Sequence, residues 1–332
     1  MWQDRLNGDS LSWLLERDKQ NPGPLFFALR DLLERQAGDS DLDQARRAIM
    51  QRGPVPAILD AQYAEGYWVK PGGGYSPKYR GTTWQIKFLA ELGADPGDER
   101  VRRGCEYVLD HSIAPNGAFS LLQKPVNSGV VPCLNGNLLY AMQELGFGQD
   151  ERVRRALEWQ ARAVLGEDID YLKSGTSGPL FACSANEGHS CGWGANKVLR
   201  GLLAAGEKQR SPLIDRAIEA GAAFLLSRDP AAADYPYTQR VSSTWFKLGF
   251  PLSYWSDILE TAAVLVDAGH GGDPRLTGVI ELILEKQDDQ GRWALKNSLN
   301  GKMWADIEKK GKPSKWVTLR VLRMLKKQSN CQ

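Results

Sequence analysis

Glu91-Leu92-Gly93 leads into Asp98-Glu99-Arg100-Val101-Arg102-Arg103, and Glu144-Leu145-Gly146 leads into Asp150-Glu151-Arg152-Val153-Arg154-Arg155. The two stretches stand 52 to 53 residues apart. Weaker copies follow at Ala204-Ala205-Gly206 with Asp215-Arg216-Ala217-Ile218, and at Asp267-Ala268-Gly269 with Asp273-Pro274-Arg275-Leu276. A spacing of this kind marks a repeated supersecondary unit. Upstream of Gly93, Trp84, Ile86, Phe88, Leu89 and Leu92 form a largely apolar helix, and the glycine is its stop. Downstream, from about Glu99 to Asp110, Val101, Cys105, Val108 and Leu109 share one face and the arginines the other.

The same pair recurs as 134–145 with 153–164, as 193–205 with 214–226, and as 258–268 with 279–285, and a last apolar helix spans 316–325. A helix apolar nearly all round must be buried, whereas one apolar on a single face sits outside it. Alternating the two types predicts an inner ring of helices wrapped by an outer ring. The ring could close as a barrel or stay open as a solenoid; the units exceed the roughly 20–45 residues of solenoid repeats, so the favoured all-α fold is a closed α/α toroid, or barrel, of five or six helical hairpins. Strand patterns are scarce. Residues 1–53 lack the repeat and are read as N-terminal helices packed on the ring, with 54–328 as the toroid, one structural domain overall.

Composition narrows the function. The 332 residues are 42% hydrophobic and 25% charged, and 42 Lys+Arg against 40 Asp+Glu leave a net charge of +2. That balance argues against a nucleic-acid partner. No apolar run approaches the roughly 20 residues of a membrane span, and Met1-Trp2-Gln3-Asp4-Arg5 opens no apolar leader. A cytoplasmic protein is expected, with any protein partner left open.

The 278–293 stretch, Gly278-Val279-Ile280-Glu281-Leu282-Ile283-Leu284-Glu285-Lys286-Gln287-Asp288-Asp289-Gln290-Gly291-Arg292-Trp293, resembles the QW repeat of squalene and oxidosqualene cyclases. Ile58-Leu59-Asp60-Ala61-Gln62 with Gly66-Tyr67-Trp68, and Tyr107-Val108-Leu109-Asp110 with Asn116-Gly117-Ala118-Phe119, are degenerate copies. The chain thus resembles the terpenoid cyclase and protein prenyltransferase β-subunit superfamily over about residues 55–326, which implies an α/α toroid. In such a repeat the Gln amide bonds backbone at a neighbouring helix end, Gly permits the turn, and Trp staples adjacent units.

Cys183-Ser184-Ala185-Asn186-Glu187-Gly188-His189-Ser190-Cys191 gathers sulfur and imidazole within nine residues, a donor set suited to Zn²⁺. Cys133 opens one inner helix, Cys191 the next, and Asp257 stands at the start of a third. If the inner helices run parallel, their N-termini meet at one rim, where Cys133, Cys183, His189 and Cys191 would close a structural zinc shell. An open set with Asp257 and a water would instead be catalytic, and helix N-termini would favour thiolate. The other reading treats the cysteines as small buried hydrophobes. The resemblance implies zinc holding an acceptor thiolate through Asp-x-Cys and a later His. Here His189-Ser190-Cys191 stands at the first place and Asp257 near the second, so the ligand types are exchanged in order.

No Asp-x-Asp-Asp acid of the alkene-protonating cyclases is present: Asp39-Ser40-Asp41-Leu42-Asp43 has a different pattern and Asp168-Ile169-Asp170 lacks the last acid. Lys312 and Lys315, before the last helix, would offer cations to a diphosphate at the same rim. Trp84, Trp193, Trp255 and Trp316 recur near inner-helix starts and would line an isoprenoid cavity, or simply pack the core. These residues favour a zinc-containing, prenyltransferase-like or terpenoid-cyclase-like enzyme for an isoprenoid or other long apolar small molecule. The alternative is a non-catalytic toroid binding or scaffold protein with a structural zinc.

Overall fold

In three of its four copies the repeated Asp of the sequence motif is a helix cap; in the third copy, Ser211 caps the helix over Pro212–Leu226 and Asp215 lies in its first turn. Asp98 accepts from the Arg100 and Val101 amides at 2.8 and 3.4 Å, Asp150 from the Arg152 amide at 2.8 Å, and Asp273 from the Arg275 amide at 2.9 Å. In each case the arginine two residues on folds back onto the same carboxylate. Such a cap is worth about 1 kcal/mol and fixes where each outer helix begins. In three of the four units the inner helix gives way to a left-handed glycine, Gly93 (φ 80°), Gly146 (φ 82°) or Gly269 (φ 90°), whereas in the third the helix ends at Ala204 and Gly206 has φ −67°.

The computed structural model describes residues 2–169, 179–236 and 241–331. Its principal helices are α1 (Ser10–Leu15), α2 (Gly23–Phe27, prolonged by a π-turn over Ala28–Leu32), α3 (Ser40–Gln51), α4 (Pro54–Leu59), α5 (Thr82–Leu92), α6 (Glu99–His111), α7 (Pro132–Glu144), α8 (Glu151–Leu165), α9 (Gly192–Leu203), α10 (Pro212–Leu226), α11 (Ile258–Leu265), α12 (Thr277–Leu284) and α13 (Lys315–Ser329). Among the described residues only isolated bridges stand in place of strands. The fold is all-α.

Two classes of helix separate by burial as the patterns predict. Every residue of α5 is buried, whereas α6 buries Val101, Gly104, Cys105, Tyr107, Val108 and Leu109 and turns its charges outward. The inner helices α2, α5, α7, α9, α11 and α13 surround the centre, and α4, α6, α8, α10 and α12 lie outside them. The tightest inner contact is between α7 and α9. A Cβ at Gly136 would fall 2.2 Å from the Lys197 carbonyl carbon, so only glycine lets these backbones meet.

The N-terminal residues close the ring. Gly23 of α2 packs between the Trp316 ring of α13 and the Leu92 carbonyl of α5. Lys326 Nζ donates to the Asp31 and Leu32 carbonyls at 3.1 and 2.9 Å. Residues 23–32 thus complete the inner ring.

The QW-like turns act as the resemblance implies. Trp68 and Trp293 are fully buried, and their indole N–H groups donate to the Ile58 and Ile283 carbonyls, each at 2.7 Å. Their own amides donate to Thr82 and Thr318 of the following inner helix, each at 3.1 Å. Gln62 reaches the Arg100 carbonyl in the first turn of α6 at 2.9 Å. Gln287 reaches the Arg5 carbonyl at 3.1 Å, so the N-terminal turn takes the place of a neighbouring outer helix.

Candidate functional site

The two ends of the ring differ. The C-terminal ends of all six inner helices bound a cavity of about 550 Å³. Asp31 and Glu34 come from the end of α2, Glu91 from α5, Glu144 from α7, Leu203 from α9, Asp267 from just past α11 and Lys327 from α13. The inner helices are therefore parallel. At the opposite rim, Tyr75, Trp84, Cys133, Leu138 and Tyr254 leave a cleft of only about 10 Å³.

The cavity has one apolar wall and is lined elsewhere by charge, at its mouth and at depth. Phe27, Phe250, Leu252, Leu259, Trp316 and Leu319 form its inner wall. Trp316 stacks on Phe250 with centroids 4.2 Å apart and meets Phe27 edge-on at 5.9 Å. Six cations line it (Arg30, Arg200, Arg320, Arg323, Lys326, Lys327) with six carboxylates (Asp31, Glu34, Glu91, Glu144, Glu260, Asp267). Each cation is paired. Arg30 meets Asp31 at 2.6 Å and Glu144 at 3.4 Å; Arg323 meets Asp31 at 3.0 Å; Lys326 meets Glu34 at 2.7 Å; Lys327 meets Asp267 at 2.5 Å. Deeper in, Arg200 binds Glu91 at 2.6 Å and lies over the Tyr140 ring at 3.6 Å, and Arg320 binds Asp257.

Behind this wall the ring centre is filled by buried charge. Lys87 Nζ pairs with Glu91 at 2.9 Å and donates to the Leu252 carbonyl, while Lys197 pairs with Glu260. Burial alone would raise the Glu91 pKa, but Lys87 and Arg200 outweigh it and hold the carboxyl down at about 2. Burial depresses Lys87 to about 8 despite Glu91. Charges this deep persist only because each has a partner.

Glu260 and Trp316 are exceptions to full pairing. Glu260 is 3% exposed; its Oε2 takes Lys197, but its Oε1 has no hydrogen-bond partner and lies 3.9 Å from Arg200. Trp316 is 2% exposed and its indole N–H has none either. Both line the cavity.

The expected zinc site does not assemble. Among the described residues no group of three or more His, Cys, Asp or Glu side chains stands ready to hold a metal. Cys133, Cys183 and Cys191 do approach one another, since Cys133 is pushed up to about 12 by burial and further by the other two sulfurs. Burial also raises Cys191, whose Sγ accepts from the Gly194 amide at 3.4 Å and so caps α9. At Cys133 and Cys191 desolvation outweighs the helix N-terminus, so both thiols are pushed above their ordinary range, against the expectation that the helix ends would favour thiolate. His189 is exposed, three residues past the 3₁₀ turn (Ser184–Asn186) that lies between Cys183 and Cys191. The donor set present does not fit zinc.

Asp257 has no free lone pair for metal or substrate. Its Oδ1 accepts from the Glu260 amide at 2.9 Å and from Arg320 at 2.8 Å; its Oδ2 accepts from the Gly249 amide at 3.0 Å and from Arg320 at 2.9 Å. It caps α11 and ties the 249–252 loop to α13.

Of the expected substrate-binding residues, Trp316 alone lines the large cavity. Trp84 packs at the closed rim on Tyr75 and Tyr79 (5.2 and 4.9 Å), and Trp193 meets Trp245 and Tyr254 there. Trp255 is buried against Gly249. Lys312 is exposed, and Lys315 donates to the Glu16 carbonyl at 3.0 Å, so neither is placed for a diphosphate in the cavity. Asp39 caps α3 and Asp168 pairs with Arg162; Asp170 lies outside the described residues.

Residues that pattern reading missed are Glu91, Tyr140, Glu260 and Arg320. Their signal is a charged or hydroxyl side chain inside an otherwise apolar helix, which must find a partner across the ring.

No family model and no curated protein matches this chain. A solved structure of a protein from Actinoplanes is similar to it at 14% identity, with 99% of this chain and 98% of that one covered and a TM-score of 0.46. A variant of the type II terpene cyclase MstE from Scytonema, in complex with its product merosterolic acid A, is similar at 14% identity over 84% of this chain and 95% of that one, TM-score 0.32. A second variant of that cyclase, in complex with its substrate geranylgeranyl dihydroxybenzoate, gives 84%, 96% and 0.29 at the same identity. Function is read from the site itself. Among the described residues no helix is long and apolar enough to cross a membrane.

Proposed function

We propose that this protein is a terpenoid-cyclase-like enzyme that takes an isoprenoid, or a comparably elongated apolar molecule, into the cavity at the C-terminal end of its helical ring. The observation that carries this reading is the 550 Å³ volume walled by Phe27, Phe250, Leu259 and Trp316 inside a closed toroid. A volume in that range suits a small organic ligand. Burying an isoprenoid chain against these walls gains about 25 cal/mol per Å² of apolar surface removed from water. Aromatic faces suit positive charge developing along such a chain, and the closed far rim keeps water out of the ring. Asp257 serves in this reading as a positioning carboxylate, because Arg320 and two amides use its lone pairs.

The test is incubation of purified protein with isoprenoids of 15 to 30 carbons, followed by product analysis and by equilibrium binding. Conversion to cyclised product, lost in an Ala263→Phe variant that fills the cavity, supports the reading. Failure of every chain to bind at micromolar concentration overturns it. Binding without conversion leaves a toroid that carries its ligand without transforming it, a second reading favoured by the pairing of every cation around the cavity.

A further inference from the structure

Resting on the cavity assignment above, we propose that its ligand is a neutral isoprenoid bearing a hydroxyl group, an alcohol or phenol, and that this hydroxyl enters first and binds at the inner wall between α11 and α13.

Charge is the first argument. A prenyl diphosphate needs cations whose charge is not already compensated. The cavity balances six cations with six carboxylates. Each cation already has a carboxylate within 3.4 Å, Arg320 through Asp257 and Arg200 through Glu91. A diphosphate would have to compete with these carboxylates for each cation, and a neutral ligand asks for no such exchange.

Unsatisfied groups are the second argument. Buried polar atoms normally have partners, so those without one mark where a ligand's polar atoms belong. At the inner wall the Trp316 indole N–H and Glu260 Oε1 have no hydrogen-bond partner among the described residues; Arg200 stands 3.9 Å from that oxygen, and Glu91 Oε2, which also lacks one, is ion-paired with Lys87 at 2.9 Å. Trp316 is in the first turn of α13 and Glu260 in the first turn of α11, so both stand at the end of the cavity away from its mouth. A hydroxyl both accepts and donates and so can serve either group, whereas a fully ionised phosphate offers only acceptors. The apolar chain would then run outward along Leu203, Ala263, Val264 and Met324.

The experiment measures binding of three probes to the wild-type protein by calorimetry: geranylgeraniol, geranylgeranyl diphosphate and the corresponding C20 hydrocarbon. Geranylgeraniol is expected to bind at least tenfold more tightly than the diphosphate and about fivefold more tightly than the hydrocarbon, the scale of one net hydrogen bond. Trp316→Phe keeps a ring on Phe250 and should bring the alcohol-to-hydrocarbon ratio to about one. Glu260→Gln should reduce the same ratio, read only if the variant retains its helical circular dichroism. Equal or tighter binding of the diphosphate overturns this inference while leaving the cavity assignment standing, as does an alcohol preference that Trp316→Phe does not change. Binding of none of the three overturns the cavity assignment itself.

Discussion

The ring is closed at one end and open at the other, although the same six helices build both. At their N-termini, Trp84, Tyr75, Tyr79, Trp193, Trp245 and Tyr254 interlock, and the loop through Gly249 is tied down by Asp257 and Arg320. At their C-termini the side chains are mostly paired charges, which hold one another at the wall and leave the space between them open. Aromatic rings gain by filling volume, while ion pairs at a water-facing mouth gain little by closing over it. The end richest in Trp and Cys is thus the structural one. The cavity proposed to take the ligand lies at the end that the sequence makes inconspicuous.

The largest expected effect tests the lid of the closed rim. Asp257→Ala leaves the Arg320 guanidinium buried without its carboxylate and should cost about 3–5 kcal/mol in denaturant unfolding. A loss below about 1 kcal/mol would mean the tie does not hold the lid. Trp84→Ala should likewise lose about 3–5 kcal/mol through its packing, yet leave isoprenoid affinity within about twofold. If it weakened binding as much as Ala263→Phe does, the assignment of the two ends would be reversed.

Acid titration comes next. Glu91 is held below its ordinary 4.5, at about 2. Its contribution is therefore full above pH 4.5 and is lost as pH falls toward 2, by an amount on the order of 3 kcal/mol. Glu91→Gln should flatten that part of the stability profile, and an unchanged acid limb would exclude Glu91 as its source.

Ala263→Phe, in the open cavity, should change stability by less than about 1 kcal/mol while lowering ligand affinity at least tenfold. The smallest effect concerns the thiols. At pH 8, Cys331, which is exposed, should react with a thiol reagent at once, while Cys133 stays unlabelled in the native protein because burial pushes its pKa up to about 12. Rapid labelling of Cys133, or one equivalent of zinc in protein purified without added metal, would show that the closed rim is chemically active after all.

Much of the fold is legible in the sequence. Asp98, Asp150 and Asp273 announce outer-helix starts, Gly93 and Gly146 announce inner-helix stops, and Gln62, Trp68, Gln287 and Trp293 make the contacts that their spacing implies. These are local interactions, or interactions repeated at a fixed interval, so one unit teaches the next. The site is far less legible. Register correctly brings Cys133, Cys183 and Cys191 toward one rim, but it cannot say that His189 turns to solvent or that Arg320, 63 residues away, takes up both oxygens of Asp257.

The sequence by itself determined that this chain forms alternating buried and half-buried helices closed into a ring, because burial pattern and capping are written residue by residue. Tertiary structure alone decided which end of that ring is open. Whether a rim closes depends on how side chains from six helices share one small volume, and whether a charge is free depends on its partner across the ring. Neither quantity belongs to any single stretch of chain.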